Sequence, residues 1–312
     1  MDYRALRIVF MGTPEFAVSS LDALVQAGCN IVAVVTAPDK PAGRGMKMHE
    51  SAVKKYAVSK DLRVLQPEKL RDALFLEALR SLNADLQVVV AFRMLPELVW
   101  NMPPMGTINV HASLLPDYRG AAPINWAIIN DEKETGVTTF KLQHAIDTGN
   151  ILLQRKVIIG PDETAGELHD KLMEAGASLL LQTIQGLAEN TISEVPQEAH
   201  RKATEQKHAP KIFTETCVIN WNRTASDVHN LVRGLSPFPG AFTTLDGKML
   251  KIFRSEKDYD GTATPGSYST DGKSFLKFAC SDGWIRVLEL QLEGKKKMPV
   301  SDFLRGYRPL SS

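Results

Sequence analysis

The sequence predicts a two-domain protein, with an α/β fold on a largely parallel sheet in the first half and a small antiparallel barrel in the second. Two patterns carry this prediction. In the first half, apolar runs of strand length alternate with segments of helical spacing, as in βαβ units. In the second half, shorter alternating runs are separated by Asp-Gly pairs, which are typical of β-hairpins. The length of 312 residues also favours two domains.

The first half contains predicted strands that are almost wholly apolar, as strands buried on both faces must be. They lie at residues 6–11, 31–35, 86–92, 106–110 and 137–142. The predicted helices repeat apolar residues every three or four positions. They lie at residues 14–27, 51–59, 68–82 and 164–186.

A polar, proline-containing stretch at residues 190–210 predicts the linker between an N-terminal domain, 1–189, and a C-terminal domain, 211–312. In the C-terminal domain we expect one helix, at about residues 225–234. Hairpin turns are predicted at three Asp-Gly pairs, which are Asp246-Gly247, Asp271-Gly272 and Asp282-Gly283.

Composition excludes several classes of protein. With 44% hydrophobic and 23% charged residues, both halves can build a core, so a disordered or fibrous chain is excluded. The only cysteines, Cys29, Cys217 and Cys280, are far apart and predict buried thiols rather than disulfides or a zinc site. No apolar run reaches about 18 residues, and the N-terminal one is too short for a signal peptide. We therefore expect a cytoplasmic protein without a membrane segment.

Charge is distributed unevenly along the chain. From residue 201 onward, 18 basic and 12 acidic residues give a net charge of +6. The first 200 residues hold 19 basic and 24 acidic residues, a net charge of −5. A basic C-terminal third suggests a polyanionic partner. The uneven distribution of basic and acidic residues is explained equally well by chance variation in surface composition.

Polar residues near predicted strand ends form the strongest candidate site, because ligands of open α/β sheets bind at the carboxyl edge. Asn109 and His111 are two positions apart at such an end, so their side chains share a face. Asp147 follows the predicted strand 137–142, and we expect it at the same edge. An isolated Asn-x-His is more often a satisfied polar pair. The proline- and glycine-shaped loop that follows, 113–124, favours an acyl-transfer site instead.

Several motifs together resemble those of the folate-dependent formyltransferases: Asn109-Val-His111, Ser113-Leu-Leu-Pro116, Tyr118-Arg-Gly120 and Asp147-Thr-Gly149. Within that superfamily, two further motifs are similar to those of the methionyl-tRNA formyltransferases: Gly12-Thr-Pro-Glu-Phe-Ala17 and Asp39-Lys-Pro-Ala-Gly-Arg-Gly-Met46. The resemblance runs essentially end to end, including Asn220-Trp221 and Ser236-Pro-Phe-Pro-Gly240. It implies a Rossmann-like N-terminal formyltransferase domain and a C-terminal OB-like β-barrel that binds tRNA.

The resemblance also implies an activity, which is transfer of the formyl group of 10-formyltetrahydrofolate to the methionine of charged initiator tRNA. The folate would be a cosubstrate, with no metal, and we expect a monomer. The catalytic residues implied are Asn109, His111 and Asp147. The folate-binding residues implied are Phe92, Met94, Leu95, Ser113, Leu114, Leu115 and Pro116. The tRNA-binding residues expected are Lys40, Arg44, Lys47, Lys295 and Lys296.

The chemistry of the three predicted catalytic side chains fits this reaction. The amide of Asn109 can donate a hydrogen bond to the oxyanion that forms when an amine attacks the formyl carbon. His111 can donate to the same oxygen or carry a proton. Asp147 can orient the imidazole or relay a proton through water. The sequence does not divide the proton-transfer roles between His111 and Asp147.

Other motifs keep ordinary explanations. The loop at Gly43-Arg44-Gly45 lacks the third glycine of a dinucleotide fingerprint, and without the resemblance it would be a plain surface loop. The run of lysines at 295–297 suits a solvated turn and a phosphate contact equally. The histidines show no metal-binding spacing. The chain departs from the family pattern at Arg93, where a glycine is expected beside the folate pocket, and at Asn220 and Phe238, where aspartate and tryptophan are commoner.

Three rival functions use the same residues: formyl transfer to a small acceptor, hydrolysis of formyl folate, and RNA binding on a degenerate enzyme scaffold. A small acceptor needs neither a basic C-terminal domain nor the loop at Arg44. Hydrolases of this kind usually carry a regulatory appendage that is absent here. A degenerate scaffold would be expected to lose at least one of Asn109, His111 and Asp147, and all three are present.

Overall fold

A computed structural model describes residues 1–42, 47–145, 147–200 and 205–307. The chain divides into two compact units. The first comprises residues 1–120, 135–157 and 169–208, and the second comprises 121–134, 158–168 and 209 onward. No helix within the described ranges is long and apolar enough to cross a membrane.

The helices are α1 (Glu15–Gln26), α2 (Ala52–Ser59), α3 (Ala73–Ser81), α4 (Glu97–Trp100), α5 (Pro123–Ile129), α6 (Ala165–Glu189), α7 (Ala225–Gly234) and α8 (Val300–Gly306). The strands up to residue 158 are β1 (Arg7–Gly12), β2 (Asn30–Val35), β3 (Lys40–Ala42), β4 (Lys47–His49), β5 (Val64–Leu65), β6 (Leu86–Val90), β7 (Thr107–His111), β8 (Arg119–Gly120), β9 (Glu134–Lys141) and β10 (Ile151–Ile158). The later strands are β11 (His208–Ala209), β12 (Ala241–Leu245), β13 (Lys248–Asp258), β14 (Tyr268–Thr270), β15 (Leu276–Ala279), β16 (Trp284–Leu292) and β17 (Met298–Pro299).

The first unit is built on a seven-stranded sheet in the order β10-β9-β7-β6-β1-β2-β5. The strands from β7 to β5 pair in parallel, and β9 runs antiparallel to β7. All five residues of β6 are buried, because helices cover both faces of a parallel sheet. The predicted Rossmann-like architecture is therefore confirmed.

The predicted elements of this sheet are present, with three differences, one of which is the short strand β5 (Val64–Leu65), which was not predicted. The predicted helix 68–82 begins only at Ala73, because the side chain of Asp72 accepts a hydrogen bond from the backbone N–H of Phe75 and caps the helix there. Strand β10 was not predicted, since its middle residues, Gln154 to Lys156, are polar or charged and break the apolar run.

The second unit contains an antiparallel sheet in the order β12-β13-β16-β15-β14, with β17 beside β16. Turns at the three predicted Asp-Gly pairs connect its hairpins, and both Asp246 and Gly247 have positive φ angles, which such tight turns require. The apolar face of α7 packs against this sheet through Val228 and Val232. The predicted OB-like antiparallel unit is confirmed.

The three cysteines are buried as predicted, and all are free thiols. Burial raises the pKa of the Cys29 thiol to about 11 and that of Cys280 to about 12. Both thiols are therefore protonated and unreactive at neutral pH.

The N-terminus of α6 is closed by a reciprocal capping arrangement. The Glu167 carboxylate accepts from the backbone N–H of Thr164 at 2.8 Å, and the Thr164 hydroxyl oxygen accepts from the backbone N–H of Glu167 at 3.3 Å. The Thr164 backbone N–H, followed by the Arg254 guanidinium and the Thr164 hydroxyl, lowers the pKa of Glu167 to about 2. Since folding lowers this pKa from 4.5, the stabilisation is present above about pH 4.5 and is lost as the pH falls towards 2.

We predict that Glu167→Ala lowers the free energy of unfolding at pH 7 by about 1 kcal/mol, the usual contribution of a helix cap. The loss should disappear as the pH is lowered through the range from 4.5 to 2. Urea unfolding at a series of pH values measures both effects. Glu174→Ala, at an exposed position further along α6, is the control and should change neither; an equal effect of the two variants would contradict the capping role.

Candidate active site

The ring of His111 is held in a defined orientation at the end of β7. Its side chain is buried, and Nε2 lies 2.9 Å from the carbonyl oxygen of Tyr118. Because a carbonyl oxygen only accepts hydrogen bonds, Nε2 must carry a proton and donate it. Nδ1 is therefore the ring nitrogen that can take up or release a proton. The Asp147 carboxylate faces it, with Oδ2 at 3.9 Å from Nδ1.

Asp147 is itself held by its surroundings. Its Oδ2 atom accepts a hydrogen bond from the backbone N–H of Gly120 at 3.1 Å, and its backbone has a positive φ of 54°. The distance of 3.9 Å to His111 exceeds a hydrogen bond but allows an ion pair when the imidazole is protonated. A proton on Nδ1 would thus be stabilised by a carboxylate that is already oriented.

The route by which Asp147 reaches His111 differs from the expected one. Strand β9 is antiparallel to β7, with Ile108 opposite Lys141 and His111 opposite Thr138. The carboxyl end of β9 therefore lies beside the amino end of β7, so Asp147 does not reach the site directly from a strand end, although it lies at the expected edge beside His111. Instead, Asp147 lies in the connection between β9 and β10, and this connection returns to the carboxyl end of β7, where His111 lies.

Close backbone packing in this connection explains the glycine of the Asp-Thr-Gly motif. A Cβ atom on the buried Gly149 would overlap the carbonyl group of Lys141. Any larger residue would push the connection away from β9 and move Asp147 with it.

Asn109 lies two residues before His111 on β7, so its side chain points to the same face of the sheet. It is half-buried, and within the described part of the chain its side-chain amide has no hydrogen-bond partner. A half-buried amide without a partner is suited to donate to a bound oxygen atom.

The loop at 113–116 is tied to the sheet by two polar side chains. The buried Thr138 hydroxyl donates to the Ser113 carbonyl oxygen at 2.7 Å and accepts from the Leu115 backbone N–H at 3.1 Å. The Gln154 amide donates to the Leu115 carbonyl oxygen at 2.8 Å and to the Thr138 hydroxyl at 2.9 Å. Sequence reasoning missed both residues, because each lies in a strand where a polar side chain carries no motif.

The predicted folate-binding residues differ in exposure. Ser113, Leu115, Pro116 and Leu95 are buried, and Leu115 packs in a small core cluster. Phe92 and Leu114 are half-buried, and Met94 is 73% exposed. The buried residues therefore stabilise the site loops, whereas the half-buried and exposed residues present apolar surface to solvent.

Arg93, the departure from the family pattern, turns its side chain towards the neighbouring loop. Its guanidinium donates to the carbonyl oxygens of Pro67 and Glu68, and it lies over the ring of Phe92 at 5.5 Å. Burial lowers its pKa from the ordinary value. The residue thus braces residues 67–68.

Of the residues predicted to bind tRNA, Lys40 is exposed at the start of β3, and Lys47 begins β4. Arg44 lies outside the described residues. The sequence 39–47 contains a single acidic residue, Asp39. It is paired with Lys54, whose hydrogen bond lowers the pKa of the Asp39 carboxyl.

In the second unit, Lys295 and Lys296 are exposed, while Lys297 pairs with Glu289 at 2.7 Å. No group of three or more His, Cys, Asp or Glu side chains within the described ranges is arranged to hold a metal ion.

Comparisons with known proteins show the family to which the chain belongs. The formyl transferase family model matches residues 6–184, and the model of the formyl transferase C-terminal domain matches residues 211–308. The chain belongs to the formyl transferase family. It is 53% identical to a methionyl-tRNA formyltransferase of Bacteroides fragilis, with 97% of this chain and 95% of the relative covered. It is 55% identical to one of Phocaeicola vulgatus, with 99% and 98% covered.

Solved structures share the fold at low identity. An N-formyltransferase from Helicobacter canadensis, in complex with folinic acid and dTDP-3-aminofucose, is 20% identical with a TM-score of 0.68, covering 94% of this chain and all of that one. HypX from Aquifex aeolicus in complex with tetrahydrofolic acid is 18% identical with a TM-score of 0.66. That match covers 97% of this chain, which spans about half of HypX, 48% of its length.

Valine has nearly the shape of threonine but lacks the hydroxyl that bonds the Ser113 carbonyl, the Leu115 N–H and the Gln154 amide, so we predict that Thr138→Val destabilises the first unit. The expected loss is about 1–3 kcal/mol in the free energy of unfolding. Urea denaturation measures it. Thr138→Ser keeps the hydroxyl and should recover most of the loss; if the serine variant is as unstable as the valine variant, packing of the methyl group matters more than the hydrogen bonds.

Proposed function

We propose that the chain transfers the formyl group of 10-formyltetrahydrofolate to the α-amino group of methionine on charged initiator tRNA, a step of translation initiation. The observation that carries this proposal is the identity of about half of all residues with relatives named methionyl-tRNA formyltransferase, over nearly the full length of both chains. The arrangement of Asn109, His111 and Asp147 supports it, because these side chains suit acyl transfer.

In the reaction, the neutral amine attacks the formyl carbon, a bond from that carbon to the folate N10 breaks, and N10 leaves with a proton. The oxyanion that develops would accept from the side-chain amide of Asn109. Removing one such donor typically raises the barrier by about 3–4 kcal/mol. Its amide is half-buried, and the low local polarity there would strengthen the interaction.

The hydrogen bonds of His111 support a division of the proton-transfer roles. With Nε2 donating to Tyr118, only Nδ1 is available to accept the proton of the attacking amine and pass it to the leaving N10. Asp147 then acts as the counter-charge, which stabilises the imidazolium at 3.9 Å while Gly120 keeps the carboxylate in place. His111 is thus proposed as the proton carrier and Asp147 as its electrostatic partner.

The tRNA would be held by basic residues from both ends of the chain. Lys40, Arg44 and Lys47 are proposed to draw the 3′ end towards the site, and Lys295 and Lys296 to contact the backbone from the C-terminal domain, 211–312. The net charge of +6 beyond residue 200 supports an attraction to the phosphates.

The acceptor is tested by supplying the purified protein with 10-formyltetrahydrofolate and either charged initiator tRNA, glycinamide ribonucleotide, an amino-sugar nucleotide or water alone. We expect formylation of the methionyl-tRNA with the highest kcat/KM. Faster formylation of a small acceptor, or release of formate without acceptor, would overturn the proposal.

For the catalytic residues, we predict that His111→Ala and Asp147→Ala each lower kcat by about 10²–10⁴ while tRNA binding persists. The double variant should lose little more than either single variant, because the two side chains act as a unit. Formylation kinetics and tRNA titration provide the measurements. His169→Ala, on α6, is the matched control and should keep its turnover; near-normal turnover in both site variants would remove the proposed mechanism.

For the basic residues, we predict that tRNA affinity falls with salt by about 0.7–0.9 log unit per log unit for each phosphate neutralised. Lys295→Ala and Lys296→Ala should each make the slope of log affinity against log salt concentration shallower, by the amount expected for one phosphate contact. Lys297→Ala should change it less, since that charge is already paired with Glu289. Titrations at several salt concentrations test this, and a flat response of the unaltered protein would mean that the charge asymmetry has no role in tRNA binding.

A further inference from the structure

The segment predicted as a linker makes specific contacts with the loops that carry the candidate site. Val195 forms a reciprocal backbone bridge with Ile151, with both N–O distances at 2.8 Å. Further along, the Lys207 carbonyl oxygen accepts from the backbone N–H of Tyr118 at 2.7 Å, and Gln206 donates to the Pro116 carbonyl oxygen at 2.6 Å. The segment therefore belongs to the first unit and supports its loops.

Gln197 is the central residue of this segment. Its side chain is 99% buried, with a relative exposure of 1%. The amide nitrogen donates to the carbonyl oxygens of Asp147 and Gly149, both at 2.8 Å. The amide oxygen accepts from the Arg119 guanidinium, from Nε at 3.0 Å and from Nη2 at 2.5 Å. Both N–H groups and the oxygen are thus fully used.

These bonds join the two backbone segments that orient the Asp147 carboxylate. One segment carries Asp147 itself, whose left-handed backbone is held by the Gln197 amide. The other carries Arg119, and the next residue, Gly120, donates its backbone N–H to the Asp147 carboxylate. A shift of either segment would change the distance of 3.9 Å between Asp147 and His111.

We propose that Gln197 is a positioning residue for the reaction, a clamp that fixes the Asp147 carboxylate against His111 through the Asp147 and Gly149 carbonyls. Glutamine is required because the site needs two donors facing carbonyl oxygens and an acceptor facing a guanidinium, with no net charge. A glutamate would keep the acceptor for Arg119, but it would put a negative charge and lone pairs against the two carbonyl oxygens. The proposal rests on the catalytic roles assigned above.

The test compares the full-length variants Gln197→Met and Gln87→Met in the complete formyl-transfer reaction, with both the folate donor and the acceptor present. Gln87 is equally buried, at 1% exposure, and lies in the same unit, where its side-chain oxygen accepts from the Thr107 hydroxyl at 3.1 Å. Gln197→Met should lower kcat by about 10–100-fold, the usual result of misplacing a catalytic group by about 1 Å. The KM values for folate and tRNA should change less than about threefold, and the pH dependence of kcat should shift because His111 loses part of its counter-charge.

Gln87→Met should lose similar thermal stability but keep kcat within about threefold of the unaltered protein, with an unchanged pH profile. Equal kcat values for the two variants would show that Gln197 is merely structural and would overturn the proposal. Gln197→Glu separates the contacts. A loss of kcat as large as in Gln197→Met supports the clamp on the carbonyls, whereas normal kcat would show that only the bond to Arg119 matters and would also overturn it.

Failure of the proposed role of Gln197 can be distinguished from failure of the proposed function. The ratio of kcat between variant and unaltered protein is measured with whichever acceptor the unaltered protein formylates. A different acceptor would overturn the tRNA activity and leave this ratio interpretable.

Discussion

The hydrogen bond from His111 to the Tyr118 carbonyl is the constraint on which the candidate site depends. A carbonyl cannot donate, so the bond assigns the proton on the ring and leaves Nδ1 as the reactive nitrogen. Tyr118 can offer its carbonyl only because its own backbone is held in the left-handed region, with a φ of 60°, and its N–H is bonded to Lys207. The chemistry of a side chain on β7 is therefore determined by a loop that begins two residues later.

That loop is held in turn by polar residues outside the predicted catalytic set. Thr138 and Gln154 fix residues 113–115 from the neighbouring strands, and Gln197 reaches the same region from the segment after α6. Each of these side chains is satisfied by several hydrogen bonds in a place with little solvent, which gives rigidity at the cost of removing polar groups from water. A site for acyl transfer benefits from such rigidity, because the groups that stabilise developing charge need no reorganisation during the reaction.

The sheet and most of its helices could be predicted from the sequence, because apolar periodicity reports directly on burial. Strand β6 and helix α7 lie at or within two residues of their predicted positions, since β6 is almost wholly apolar and α7 repeats apolar residues every three or four positions. Strand β10 could not be predicted, because its exposed half follows no such pattern. The proximity of Asn109, His111 and Asp147 was expected from motifs, but the direction of β9 was not. The apolar run at 137–142 identifies a buried strand, but a single buried strand can run antiparallel to its neighbours in an otherwise parallel sheet.

Gln197 shows a second limit of sequence reasoning. A polar residue in a charged stretch that contains proline indicates an exposed connection, and local composition gave no reason to expect burial. Its burial depends on partners 50 and 78 residues away, the Asp147 and Arg119 groups that it joins. Long-range pairing of this kind leaves no local pattern.

The shared fold does not identify the acceptor, so specificity for the acceptor must come from residues that differ between members of the fold. An N-formyltransferase solved with folinic acid and dTDP-3-aminofucose shares the fold at 20% identity, and a shared fold does not by itself determine function. The formyl carbon and the oxyanion require the same donors whatever amine attacks. Discrimination between a nucleotide sugar and a tRNA therefore has to come from groups that contact the acceptor away from its amine. Exposed basic groups such as Lys40, Lys295 and Lys296 can attract a polyanion many times larger than the site, because electrostatic attraction acts over about 8–10 Å in physiological salt. The acidic balance of the first 200 residues, at −5, means that this attraction cannot come from that part of the chain as a whole and must be local.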